Sequence, residues 1–381
     1  MPAELATPVA LILFNRPDLT AQVFAAIRAA RPARLFLIAD GPRPERPGEA
    51  ELCAAARAVV AQVDWPCQVA CNYAPSNLGC AQRVVTGLDW LFAQVEEAII
   101  LEDDVLPDPS FFPYCQELLE RYRTTDRVLG IGGYNALGAW PGWEGSSYVV
   151  HRLPAISGWA TWRRAWRQYD FLLTRYAGVD VRARLAAHLP DAEQVAYRWQ
   201  LYTAFTERAS ISWDIQLSLI CCLVGGLWIT PGVNLITNIG FDERATHNRV
   251  DDDLRCRTRS GTLPQPLAHP AAPLATVIDE RFDRWVFLLL MLNTYRDINA
   301  LWAWQRAMAQ RPELALPGIL AGGRPFLSPL RNPAELLHVL DHLAQYADDH
   351  PRLNAMRAAL ARVAALAQPA ATGGEHGRAA L

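Results

Sequence analysis

Not one lysine occurs in this 381-residue chain, whose 36 basic residues are all arginines. That absence excludes reactions built on a lysine amine: no phosphate-cradling P-loop lysine, no Schiff base and no serine–lysine dyad is available. The eight cysteines (Cys53, Cys67, Cys71, Cys80, Cys115, Cys221, Cys222 and Cys256) show neither zinc-ribbon spacing nor a CxxC pair. Several lie inside apolar stretches, where a free thiol packs as a small hydrophobe, so a reduced, cytoplasmic chain is expected. No apolar run approaches the ~20 residues that cross a bilayer. The longest, Trp285 to Leu292, reads as a buried helix segment. The opening MPAELATPVALILFNRPD lacks a basic region before its short apolar run, and is read as a first strand rather than a signal peptide. A net charge of -3 gives no electrostatic case for nucleic acid. Arg163, Arg164 and Arg167 form only a short basic cluster.

What is present is ordinary globular material, 51% hydrophobic and 20% charged, long enough for a large domain with additions. The first third alternates. Val9 to Phe14 is a continuous apolar run, as in a strand covered on both faces. Pro17 opens a helix with Leu19, Val23, Ala26 and Ile27 on one side. Leu35 to Ala39 is a second strand, stopped by Asp40-Gly41-Pro42; a helix around Glu49 to Val63, a strand at Gln68 to Tyr73 and the loop Ala74 to Gly79 follow. A helix from about Ala81 to Val95 leads into the strand Ala98 to Leu101, then a helix reaching Arg123 and a strand at Val128 to Gly132. This β-α-β rhythm predicts an α/β fold, a doubly wound, mostly parallel sheet flanked by helices. From about Trp140 the rhythm breaks and tryptophans crowd in at 140, 143, 159, 162, 166, 199 and 213. They suit either sugar-stacking surfaces or core packing. Asp251 to Pro273 is polar and proline-rich; Arg281 to Gln310 and Pro333 to Leu366 read as helices, and 369–381 as a disordered tail.

Chemistry concentrates where Ala98-Ile-Ile-Leu101 runs into Glu102-Asp103-Asp104. Four apolar residues define a buried strand, and the carboxylates emerge at its carboxyl end, where open α/β sheets bind ligands. Three adjacent carboxylates need a counter-charge, which a divalent cation bridging to a diphosphate would supply. Hard oxygen ligands suit Mn²⁺ or Mg²⁺. The plainer alternative is a solvated acidic turn ahead of a helix.

The stretch VEEAIILEDDVLPDPSFFPYCQELLERY resembles the EDD region of bacterial nucleotide-diphospho-sugar transferases with the GT-A fold, and is similar to the corresponding segment of N-acetylglucosaminyltransferase I, an inverting enzyme. TPVALILFNRPDLTAQVFAAIRAARPARLFLIADGPR, NLGC with DWLF, PAISGWATWRRAW, SWDIQLSL and GVNLITNIGFDERATHN recur in family order, so the resemblance spans roughly residues 7–275. It implies a GT-A domain over 1–275, with a donor half to about 135 and an acceptor half beyond. A helical C-terminal region over 276–368 would follow.

The resemblance also implies roles. Asp104 would hold the metal, Asp103 the ribose and Glu102 the donor sugar. Arg16 would meet diphosphate or ribose, and Asp40 would accept hydrogen bonds from the base, its alternative being a turn former. The family histidine that helps hold the base has no counterpart, Gly87 falling there; Arg83 is a substitute contact for phosphate. Asp214 in SWDIQ stands in the region of the general base, one position ambiguous because Ile215 replaces a second acid; alone, it also reads as an N-cap. Arg244 and His247 lie in a loop that folds over the donor in the family, with Gly240 as its hinge. The implied partners are a nucleoside-diphosphate sugar, a UDP-sugar first, and a glycan or glycolipid acceptor of surface polysaccharide assembly, with room for peripheral membrane contact. Two other readings stand beside it: a nucleotide-sugar-binding protein without activity, and a sugar-1-phosphate nucleotidyltransferase, which the missing lysines disfavour.

Overall fold

The computed structural model describes residues 5–142, 145–208, 213–241, 258–294 and 333–367. Strand β1 (Val9–Leu13) is buried throughout, as its unbroken apolar run requires. Pro17 starts α1 (Pro17–Ala30), whose Leu19, Val23, Phe24 and Ile27 face inward at helical spacing. There follow β2 (Arg34–Ala39), α2 (Glu49–Val60), β3 (Gln68–Tyr73), α3 (Cys80–Phe92) and β4 (Glu97–Glu102). β1 pairs in parallel with β2 and β4, and β2 with β3. The short β5 (Val105–Pro107), α4 (Phe111–Tyr122) and β6 (Val128–Gly132) continue the chain.

Beyond Trp140 the alternation gives way to β7 (Tyr148–His151), β8 (Trp159–Trp162), α5 (Arg163–Trp166), α6 (Val181–His188), α7 (Ala192–Arg208), α8 (Trp213–Leu223), β9 (Leu227–Pro231) and β10 (Ile236–Asn238). The main sheet has eight strands in the order β3-β2-β1-β4-β8-β6-β9-β7. Only β8, wedged between β4 and β6, and β7 at the far edge run against the rest. This is the mixed α/β fold with a mostly parallel, helix-flanked sheet that the early rhythm predicts. The antiparallel β8 explains why that rhythm is lost.

Strand pleating splits the interior into two layers. Val9, Leu11, Ile99 and Leu101 point into the core with α1, α2 and α4. Ala10, Ile12, Ala98 and Ile100 point into the core with α3 and α8. Trp159, Trp162, Trp166 and Trp213 join these layers, and Trp140 is buried as well. Packing is a role that all five perform. Trp159 stacks on Trp213 at 6.3 Å and 26°, fastening the head of α8 to β8.

Helices α9 (Glu280–Thr294), α10 (Pro333–Tyr346) and α11 (Pro351–Ala367) bear out the helical character expected of the C-terminal part. Their apolar faces form a third core that takes in Leu137, Trp140 and Val149. Arg284 ties α9 to Asp191, Glu193 and Glu335 at 2.8, 2.7 and 3.4 Å. Among the described residues, no helix is long and apolar enough to cross a membrane.

Candidate functional site

The carboxyl ends of β1, β2, β3 and β4 lie side by side, so residues far apart in sequence emerge along one rim. At its centre the register sets Ile12 beside Glu102. Arg16, just before α1, reaches across and donates from one nitrogen to Asp103 Oδ1 at 2.5 Å and to Asp104 Oδ2 at 2.9 Å. Asp103 also accepts from the Phe14 N–H at 3.0 Å. Burial opposes the charge on Arg16, but the two aspartates outweigh it and hold the guanidinium above its usual value. For Asp103, only 3% exposed, burial prevails over Arg16 and keeps the carboxyl above the usual range. It offers little surface to a ligand.

Glu102 carries the largest perturbation on this rim. Burial first, then Asp104 and Asp103, push its carboxyl up to about 8 against the opposing pull of Arg16; Asp214 adds to the rise. Asp214 itself is exposed, in the first turn of α8. The helix starts at Trp213, so Asp214 lies within its first turn and does not cap it. An acid there is favoured by the positive end of the helix. Cys80, the first residue of α3, is exposed on the same rim. Its thiol is pushed up to about 11, by burial and then by Glu102, Asp214, Asp40 and Asp104. These four carboxylates therefore all act on the Cys80 thiol, which nothing in the sequence around Cys80 indicates.

Asp40 is committed to the protein. It is buried, and its oxygens accept from the Gly41, Leu78 and Gly79 N–H groups and from Asn77 Nδ2, at 2.8, 2.9, 3.2 and 3.0 Å. It thereby clamps the loop Ala74 to Gly79 onto the end of β2. A Cβ on Gly41 would lie 2.5 Å from the Ser76 backbone, so only glycine permits that approach. Arg57, half-buried in the last turn of α2, donates to Asp40 O at 2.9 Å and Ala74 O at 3.1 Å. Arg83 also points inward, 4% exposed, donating to Asn72 O and Asn72 Oδ1, both at 2.9 Å. Burial lowers its pKa against the pull of Asp40. As placed, it supports β3 and presents no guanidinium to a phosphate at the surface. At Gly87 a Cβ would meet Ile38 Cγ2 at 2.5 Å, so no larger side chain fits.

The chain returns to the rim through β10, which pairs antiparallel with β5; the Ile239 N–H then donates to Asp104 O at 2.8 Å. Gly240 follows, and a Cβ there would lie 2.2 Å from Asp104 Oδ2. Close packing against Asp104 is thus a sufficient reason for this glycine. Arg244 and His247 lie outside the described residues.

Among the described residues, no three acidic, histidine or cysteine side chains converge into a ready-made metal nest. Asp104, whose side chain is 18% exposed, nevertheless has the hard oxygens for Mn²⁺ or Mg²⁺. Such ions are often held by one or two carboxylates together with substrate phosphates, so the donor set fits a cation completed by a ligand.

No family model matches the sequence, and no curated protein matches it. Among solved structures, the chain is similar to a mannosyltransferase of Pyrobaculum calidifontis in complex with GDP-Man and Mn²⁺, at 12% identity and a TM-score of 0.31. The match covers 96% of this chain and 81% of the other. A likeness that distant does not align the two sites.

Proposed function

We propose that this chain is an inverting glycosyltransferase that moves a sugar from a nucleoside-diphosphate sugar to a hydroxyl of a glycan or glycolipid. The observation that supports the reading most is the Arg16 guanidinium held on Asp103 and Asp104 at the carboxyl ends of β1 and β4, with Asp214 near enough to raise the Glu102 carboxyl. Their charges act on one another and on Cys80.

Each residue has a definite task. Asp214 is an exposed carboxylate facing the acidic centre, suited to take the acceptor hydroxyl's proton as the anomeric carbon is attacked. Asp104 would hold Mn²⁺ or Mg²⁺; when bound, the cation neutralises charge on the departing diphosphate. Arg16 holds both aspartates in place and sets a positive group where the diphosphate would lie. Glu102 adjoins the donor sugar. Asp40 acts one step back, fixing the Asn77–Gly79 loop that borders the nucleotide. Arg244 and His247 would approach from the segment after Gly240, excluding the water that would otherwise hydrolyse the donor.

Calorimetric titration with UDP-, GDP- and other nucleoside-diphosphate sugars, with and without Mn²⁺, tests donor binding. Turnover of the best binder by wild type and Asp214→Asn then tests the base. Donor affinity within about threefold of wild type and turnover reduced by about a hundredfold or more are expected for Asp214→Asn. Full turnover would remove Asp214 from the reaction, and no donor binding under any condition would sink the whole reading.

A further inference from the structure

The short basic cluster noted in the sequence takes no part in the rim. Its arginines divide once folded. Arg164 donates to the carbonyls of Tyr122, Arg123 and Val128 at 3.0, 3.0 and 2.9 Å, and so secures the end of α4. Arg163 and Arg167 turn instead, together with Arg175, onto a pocket of about 400 Å³ walled by Asp89, Trp166 and Tyr169 among others. That volume is within the range of small-molecule sites.

The pocket is at the opposite end of the sheet from the acidic rim. Trp162, just before Arg163, pairs with Glu97 at the start of β4, whereas Glu102 ends that strand. Five residue steps of strand separate the two, ~17 Å at the usual rise.

Three arginines and one carboxylate line the pocket, and the carboxylate is engaged: Asp89 Oδ1 accepts from Trp166 Nε1 at 2.8 Å. Asp170, next to Tyr169, accepts from the Arg175 N–H at 2.8 Å and from Thr174 Oγ1. Glu96 pairs with Arg163 from a side chain 76% exposed, a tie of little strength that an anion can displace. Arg175 donates to the carbonyls of Arg167 and Gln168, which fixes its fork while leaving its charge without a carboxylate partner among the described residues. Arg167 is exposed. Beside the guanidiniums, Trp166 stacks on Tyr169 at 4.6 Å and 7°, giving the pocket a rigid aromatic wall. Fixed guanidiniums beside such a wall match a phosphate joined to an organic group, because a phosphate oxyanion accepts several charge-assisted hydrogen bonds at once.

We propose that this pocket is a second ligand site that binds a phosphate ester, with the phosphate over Arg163, Arg167 and Arg175 and its organic part against the Trp166–Tyr169 pair. The ester comes from a soluble sugar phosphate or from a lipid headgroup. The site also has a path to the rim: the Tyr169 hydroxyl donates to Trp213 O at 3.2 Å, at the head of the helix that carries Asp214.

The full chain is titrated calorimetrically with glucose 1-phosphate, and with glucose as control, in EDTA. It is also sedimented with phosphatidylglycerol vesicles and with phosphatidylcholine vesicles. Arg167→Glu is the variant of choice because an exposed side chain tolerates the change; a melting curve checks that it folds. Arg16→Gln, whose folding is checked by a melting curve in the same way, controls for binding at the acidic rim. Saturable binding of the sugar phosphate but not glucose, weakened tenfold or more in Arg167→Glu and unchanged in Arg16→Gln, supports the site with a soluble ligand. The same pattern for phosphatidylglycerol vesicles alone supports it with a lipid headgroup. No binding of either probe, or equal binding by wild type and Arg167→Glu, overturns the proposal.

Discussion

Arg16 donates to Asp104 at 2.9 Å, so the carboxylate proposed to hold a metal already carries a cation. The same guanidinium nitrogen serves Asp103, whose side chain is only 5% exposed. An incoming divalent ion therefore shares or displaces a charge that the protein supplies itself.

Removing that charge separates the two contributions. Arg16→Ala leaves buried Asp103 without its ionic partner and is expected to lose about 2–4 kcal/mol of stability. Urea denaturation with and without Mn²⁺ measures the loss. Mn²⁺ is expected to stabilise the variant more than wild type, because it replaces the missing guanidinium. An equal Mn²⁺ effect in both proteins would count against Asp104 as the cation site.

Gly240 offers a test that changes no charge. A methyl group there would lie 2.2 Å from Asp104 Oδ2 and 2.7 Å from its Cβ. Gly240→Ala is expected to cost about 1–3 kcal/mol as Asp104 is pushed aside. Mn²⁺-dependent donor affinity should fall at least tenfold. Unchanged affinity and melting temperature would mean that the segment after β10 yields freely.

Asp40 distinguishes an anchor from a ligand contact. Asp40→Ala strips acceptors from three backbone N–H groups and from Asn77, and a cost of about 2–4 kcal/mol follows if they stay unsatisfied. The measurement is unfolding free energy in the absence of any donor. Lowered donor affinity with unaltered stability would return Asp40 to the role of a direct base contact.

Cys80 reports on the rim's charge. With its thiol pushed up to about 11 by burial and by four carboxylates, little thiolate exists near neutrality. At pH 8 the thiolate fraction is about two-hundredfold below that of an ordinary cysteine, so alkylation is correspondingly slow. Peptide mapping after iodoacetamide treatment should show Cys80 reacting faster as pH rises from 8 towards 11, and faster in Asp214→Asn than in wild type at pH 8. A Cys80 that reacts at the rate of a free thiol at pH 8 would show that the carboxylates do not act on it.

The first third of the chain was readable because its signals are local. Unbroken apolar runs such as Val9 to Leu13, and turn residues such as Asp40-Gly41, announce strands and their ends directly. The Glu102–Asp104 run stood out because three adjacent carboxylates end a buried strand, where open α/β sheets bind ligands. What escaped depends on contacts between distant segments. Arg16 lies 87 positions before Asp103, so no spacing rule joins them. The loop clamp at Asp40 and the helix-borne Arg57 are equally non-local. Arg83 looked available for phosphate because an arginine near a helix start is usually exposed; here it is turned onto Asn72. β8 was missed as an inserted antiparallel strand because four residues, WATW, carry no direction.

The contact between Trp159 and Trp213 extends to Trp228, whose ring lies 5.8 Å from Trp159. Three indoles at such separations couple their electronic transitions, which gives near-ultraviolet circular dichroism a signal sensitive to their mutual angles. One member begins α8, one residue before Asp214, while the other two belong to the sheet. The protein thus contains an optical gauge of how that helix is seated, readable without any label.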